Sequence, residues 1–162
     1  MKDGKRNMYL EKLTLTNFKN YENADVSFNP KVNCILGLNG AGKTNLLDAI
    51  YYLTFTKSAL NTVDSQNIKH SESLAAINGQ FRGAEDLLVT CGLKPRQKKV
   101  FKVNKVELEK MSDHIGTMPL VLISPDDTAI IREGSESRRK FMYSMRFLRY
   151  CLSTWLMVLS IN

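Results

Sequence analysis

Cysteine, histidine and tryptophan are scarce, with three, two and one residue respectively among 162. Cys34, Cys91 and Cys151 lie far apart and carry no C-x-x-C or metal-ligand spacing, which argues against a zinc site and a disulfide framework and fits a reducing, cytoplasmic setting. His70 and His114 stand alone, with no acid or nucleophile at a meaningful spacing, and read as ordinary surface residues. Long apolar runs are missing too. Cys151 to Ile161 is broken by Ser153, Thr154 and Ser160 and falls short of the ~18 residues a bilayer span needs, so no membrane segment is predicted. The polar opening from Met1 to Asn7 lacks the apolar stretch of a secretory signal, and Met8 is a candidate natural start.

What is present is an ordinary globular composition, 43% hydrophobic and 24% charged, which is far from that of a disordered tail and long enough for one core. The net charge of +7 favours anionic partners without naming one. Alternation from Tyr9 to Phe18 and again from Ala24 to Phe28 predicts two strands joined by a tight turn. Val32 to Leu36 reads as a short strand, followed by a glycine cluster and a helix whose Leu46, Leu47, Ile50 and Leu53 share one face. Asn61 to Ser73 is expected to be a surface loop with limited structure. Strand character returns in Leu74 to Phe81, Leu87 to Leu93 and Lys99 to Val103, with turns at Gly92 to Gln97 and Asn104-Lys105. Pro119 to Ile123 resembles a strand buried in a parallel sheet, and Ser135 is a good N-cap for a long helix.

Between the third strand and the helix, Gly37-Leu38-Asn39-Gly40-Ala41-Gly42-Lys43-Thr44 matches G-x-x-x-x-G-K-[ST] at every fixed position. A loop that wraps a phosphate must aim consecutive backbone N–H groups inward, which demands backbone angles that glycine tolerates. The following helix adds its unpaired N–H groups and the positive end of its dipole. Lys43 supplies a full charge for the β- and γ-phosphates, and the Thr44 hydroxyl is placed to ligate a magnesium ion bridging them. The expected ligand is a nucleoside triphosphate, ATP, with Mg2+.

Other signals are weaker. Asp113-His114-Ile115-Gly116 and Asn104-Lys105-Val106-Glu107 imitate guanine-nucleotide motifs, but in the wrong order, so they read as a short helix and a hairpin turn. Leu120 to Ile123 leads to Asp126-Asp127 like a Walker B strand, yet Ser124 and Pro125 intervene and the aspartates equally suit capping a helix from Thr128 to Arg132. Lys94, Arg96, Lys98, Lys99, Lys102 and Lys105 gather around Phe101 with no acid between Asp86 and Glu107. They read equally as a track for a phosphate backbone or as lysines guarding a strand edge. Arg138, Arg139, Lys140, Arg146 and Arg149 share that ambiguity.

Three segments together resemble the RecF family, whose head is similar to those of SMC and ABC ATPases. They are Leu13-Thr14-Leu15-Thr16-Asn17-Phe18-Lys19-Asn20-Tyr21, the glycine loop continued by Asn45-Leu46-Leu47-Asp48-Ala49-Ile50-Tyr51, and Leu122-Ile123-Ser124-Pro125-Asp126-Asp127 with Gly134 and Arg138-Arg139-Lys140-Phe141. The resemblance covers about Met8 to Phe141 and implies an α/β P-loop NTPase of the ABC/SMC head type. Its mixed sheet would have antiparallel N-terminal strands and be incomplete on the C-terminal side. Residues 1–134 would be the N-terminal part of the head, and 135–162 the start of a helical arm that diverges, by truncation or frame shift, after about residue 141. A complete family member would bind single-stranded or gapped DNA in an ATP-dependent way, close a shared site in a homodimer, and work with RecO and RecR. The signature loop, an Asp-Glu Walker B pair and a switch histidine are not found here, so no catalytic residue is assigned and this chain is expected to bind ATP without hydrolysing it alone. An ABC transporter subunit is the alternative of a different class, but its glutamine-led loop is not found; a remnant with little activity is the third reading.

Overall fold

The computed structural model describes residues 8–118 and 120–122, together with Ser135 and Arg139, which are helical and exposed. The expectations for Asp126-Asp127, for the Thr128–Arg132 helix and for the rest of the C-terminal arm lie outside the described residues, as do Pro119 and Ile123.

Six strands, β1 (Tyr9–Phe18), β2 (Tyr21–Ser27), β3 (Ala75–Arg82), β4 (Leu87–Leu93), β5 (Val100–Val103) and β6 (Val106–Glu107), form one sheet among the described residues. Its order is β2-β1-β3-β4-β5-β6 and every pairing is antiparallel. Helix α1 (Lys43–Phe55) lies on one face. Short 3-10 turns occur at Asp64–Asn67 and Met111–Asp113.

The sheet is amphipathic, as an antiparallel sheet covered on one side should be. Ile77 and Phe81 of β3, Val89, Cys91 and Leu93 of β4 and Phe101 of β5 are buried toward the helix. Asn78, Gln80, Thr90 and Lys102 occupy the alternate positions. In β1 strict alternation would bury Leu13 and Leu15 but turn Leu10 and Phe18 outward. A register shift between Leu10 and Lys12 brings Leu10 back inside, and Asn17, at φ 49°, does the same for Phe18. All four are buried.

Helix α1 contributes Leu46, Ala49, Ile50, Tyr52 and Leu53 to this core. Each of the larger side chains stabilises the fold by about 1.5–3 kcal/mol through burial. The helix approaches β3 closely at Gly79, where an added Cβ would come within 2.5 Å of Leu53 Cδ1. A side chain there would force Leu53 and Phe81 to repack.

Three expectations are corrected. Val32 to Leu36 is not a strand: no strand pairs with it among the described residues, and Val32 and Leu36 are 83% and 85% exposed. A strand is a property of a pair, so apolar alternation without an adjacent edge gives extended chain only. The Asn61–Ser73 segment is pinned rather than loose. Lys19 N donates to Asn67 O at 2.9 Å and Lys69 N to Asn17 O at 2.8 Å, and the Asn67 side chain is buried. His114 is not on the surface: its Nε2 donates to Leu53 O at 2.7 Å and its ring lies 4.8 Å from that of Phe101. His70 is exposed, beside Ser71.

Candidate nucleotide-binding site

Gly37 to Thr44 enters α1 without a side-chain cap: no cap hydrogen bond and no acid occupies the first turn. An N-terminus left this way keeps its N–H groups and positive dipole end for an outside anion. Gly40 and Gly42 take φ of 83° and 102°, the left-handed region that a phosphate-wrapping loop needs, and Ala41 N closes a turn on Leu38 O at 3.1 Å. Gly37, at 159°, stands at the margin of the extended region.

The Lys43 ammonium reaches back across the loop and donates to Gly37 O at 2.7 Å and Leu38 O at 3.0 Å. An ammonium carries three donors, so one is left for a phosphate oxygen once the first two have fixed its position. The Thr44 hydroxyl, half-buried, has no protein partner among the described residues. Leu38 is 85% exposed, so the loop is open to solvent. The eight loop residues form one tight turn at the N-terminus of α1, on a support that the described residues leave unpaired on the strand side.

Motif reading missed what holds this cradle from the other side. Gly42, Asn45 and Asp48 are spaced by three, which places them along one face of the start of α1. The β1–β2 turn meets all three in reverse order. The Tyr21 hydroxyl donates to Gly42 O at 3.2 Å, Asn45 Nδ2 donates to Asn20 Oδ1 at 2.8 Å, and Lys19 Nζ pairs with Asp48 Oδ2 at 2.6 Å. Contact is so close that a Cβ on Gly42 would lie 2.5 Å from Asn20 Nδ2. Asp48 also accepts from Ser58 Oγ and from Ala59 N, each at 2.6 Å, so its buried carboxylate is held by three donors. The available signal was the three-residue spacing of Asn45 and Asp48 from Gly42, with apolar Leu46, Leu47, Ala49 and Ile50 between and after them.

At its other end α1 stops at Thr56, whose φ of 59° is strained for a β-branched residue. Lys99, from the strand side, donates to Thr56 O at 2.6 Å and pairs with Asp64 at 3.0 Å. Asp64 accepts from the Tyr52 hydroxyl, and burial together with that bond raises the phenol above its ordinary range. Burial likewise pushes the Cys91 thiol up to about 12, which makes it an inert core residue.

The guanine-type decoys are structural. Asn104 and Lys105, at φ 50° and 71°, form the two-residue turn between β5 and β6, and Leu88 N donates to the Asn104 side chain at 2.8 Å. Of the Walker B run, Leu120 is buried and Val121 and Leu122 are half-buried, without strand pairing. Among the described residues no group of histidine, cysteine and carboxylate side chains could hold a metal by itself. No helix among them is long and apolar enough to cross a membrane.

Comparison with known proteins agrees with this geometry. Residues 12–144 match the model of a family described as an AAA domain. Curated relatives called DNA replication and repair protein RecF include one from Phocaeicola vulgatus, 53% identical over 137 residues that make up 83% of this chain. Another, from Flavobacterium johnsoniae, is 50% identical over 139 residues, or 85% of the chain.

The chain belongs to the AAA domain family, in its RecF group.

It spans 37% and 39% of the length of those two relatives. A solved structure described as the recombination mediator protein RecF with ATP is 32% identical, with a TM-score of 0.79 over 91% of this chain and 42% of its own length. An SMC ATPase structure at 20% identity and TM-score 0.69 shows the shared head fold alone. The fold is thus the α/β P-loop type of ABC and SMC heads, with its antiparallel strands at the N-terminal side.

Proposed function

We propose that this chain is the ATP-binding part of a RecF-like DNA replication and repair ATPase, with Gly37 to Thr44 as its nucleotide site. The observation that carries the reading is the Lys43 ammonium, held by Gly37 O and Leu38 O over the uncapped N-terminus of α1. In this reading the backbone N–H groups of Gly40, Gly42, Lys43 and Thr44 bind the phosphates, Lys43 neutralises the β- and γ-oxygens, and Thr44 ligates Mg2+. The magnesium would supply charge neutralisation across the same two phosphates. The likeness to a structure described as RecF with ATP supports the choice of nucleotide.

The whole protein, of which this chain spans less than half, would bind single-stranded or gapped DNA, act with RecO and RecR, and share its site across a homodimer in the cytoplasm. Residues 1–134 would form the N-terminal part of the head and 135–162 the start of its arm. Turnover by this chain alone is not expected. The carboxylate next to the loop, Asp48, is committed to Lys19, Ser58 and Ala59, which leaves it unable to orient an attacking water.

The test is equilibrium binding of a fluorescent ATP analogue with Mg2+, paired with thermal melting. A ligand at about 100 times its Kd stabilises the folded state by about 2.7 kcal/mol, or roughly 5–11 °C for a chain of this size. Wild type should show that shift and Lys43→Ala should lose it. Unchanged affinity in Lys43→Ala would overturn the assignment of the loop, and no shift in wild type would overturn ATP binding by this chain.

A further inference from the structure

The connection between β4 and β5 concentrates positive charge that the nucleotide site does not use. Lys94, Arg96 and Lys98 are all exposed, and none forms an ion pair among the described residues. The turn is nonetheless ordered. Gln97 N donates to Lys94 O at 3.4 Å, Arg96 adopts φ of 57°, and the next lysine, Lys99, folds inward onto Thr56 O and Asp64. That anchor ties the turn to Thr56 at the C-terminal end of α1. The cluster is therefore carried on the core as a fixed knuckle, about 20 Å along the helix from the phosphate loop.

The position discriminates between the two explanations of such lysines. Edge protection puts lysine on the outermost strand. Here the outermost strand on this side is β6, Val106–Glu107, which contains none, while Lys94, Arg96 and Lys98 lie in the connection before β5, outside any strand, and β4 is interior and β5 is paired by β6 at Lys102 and Val103. Helix capping does not account for them either, because Lys99 alone meets the last carbonyl of α1. The turn sequence Lys-Pro-Arg-Gln-Lys has no apolar side chain to enter a bilayer and no aromatic ring on which a base could stack. What it offers is closely spaced, presented cation charge, which suits a phosphodiester backbone read for charge and not for sequence.

We infer that Lys94, Arg96 and Lys98 form a contact surface for the backbone of duplex DNA. The inference rests on the reading above that this protein acts on DNA. Each phosphate contact contributes about 0.9 to the slope of log Kobs against log salt concentration, so removing three should lower that slope by about 2.7.

The experiment is fluorescence anisotropy of a labelled duplex with the full chain over a salt series. Four proteins are compared: wild type, K94Q/R96Q/K98Q, the charge-keeping K94R/K98R, and K12Q/K31Q/K69Q, which removes the same charge elsewhere; melting of each checks that it is folded. The inference expects a slope reduced by about 2.7 in the first variant, the wild-type slope in the second, and a change below about 1 in the third. Equal reductions in the two glutamine variants would overturn it, since net charge alone would then explain binding. An unchanged slope in K94Q/R96Q/K98Q would also overturn it, while leaving DNA binding intact. No wild-type binding to any duplex would sink the DNA reading and the inference together, though not ATP binding, which melting reads separately. Loss of binding to phosphatidylserine vesicles in the same variant, with none to DNA in wild type, would assign the surface to membranes and overturn the inference.

Discussion

Removing the Lys19 ammonium tests whether the β1–β2 turn truly supports the phosphate loop. The Lys19 and Asp48 side chains are only 8% and 1% exposed, and their 2.6 Å contact joins the turn to the middle of α1. Lys19→Met keeps the length and apolar stem of the side chain but leaves the carboxylate buried beside no cation. Breaking a buried pair from one side costs about 3–5 kcal/mol. Asp48 keeps the Ser58 and Ala59 donors, so the lower end, about 3 kcal/mol, is the working value. A chain of this size should lose roughly 6–12 °C in melting temperature. Circular dichroism melts of Lys19→Met, Asp48→Asn and the double variant form a cycle. The double variant should be less destabilised than the sum of the singles by at least about 1 kcal/mol, because each single leaves one uncompensated charge. Lys12→Met, which removes the exposed partner of Asp25, serves as control and should leave the melt essentially unchanged. Additive singles, or a Lys19→Met melt indistinguishable from that of Lys12→Met, would refute the argument that this pair is desolvated and coupled.

Gly42→Ala should fold but bind the ATP analogue at least tenfold more weakly, since a Cβ there meets Asn20 while φ of 102° disfavours any L side chain; Asn20→Ala combined with it should not restore affinity, and restored affinity would show that crowding alone mattered. His114 should make stability fall on mild acidification. Burial lowers its pKa, so the neutral form is the folded form; its contribution is complete above the unfolded value of about 6.5 and is lost as pH drops below that. Melting temperature should be flat from pH 8 to 7 and decline between pH 6.5 and 5, and His114→Gln should flatten the decline; an identical slope in that variant would remove His114 as the cause.

The sheet and the helix were legible because their signals are local. Period-two alternation located β1, β3, β4 and β5, and the Asn104-Lys105 pair marked the turn that admits the two-residue β6. The glycine-rich turn into α1 was legible for the same reason, its fixed positions lying within eight residues. What escaped depends on partners distant in sequence. Lys19 and Asp48 are 29 positions apart and each resembles an exposed charge until the turn is laid on the helix. His114 is buried because the chain folds back onto the end of α1, which nothing in its neighbours foretells. Val32 to Leu36 shows the reverse error, for its composition is that of a strand and its conformation is not. Hydrophobic pattern reports what a segment would do beside a suitable edge, and cannot report whether the edge is there.

Helix α1 joins the two surfaces argued here, and its construction decides how they can influence each other. Its first turn carries the phosphate loop and is clamped by Asn20, Tyr21 and, one turn on, Lys19; its last carbonyl is clamped by Lys99, which also seats the basic turn. Between the clamps, Ile50, Tyr52 and Leu53 are buried with no more than 2% of their surface exposed. A helix packed this tightly at both ends and in the middle has one arrangement on the sheet, and coupling between sites needs an element with two. Among the described residues, α1 therefore offers no second arrangement through which nucleotide at one end would alter the cationic turn at the other. ATP-dependent contact with DNA would have to come from joining two such units, which doubles the cationic surface offered to one duplex and raises avidity without changing either site.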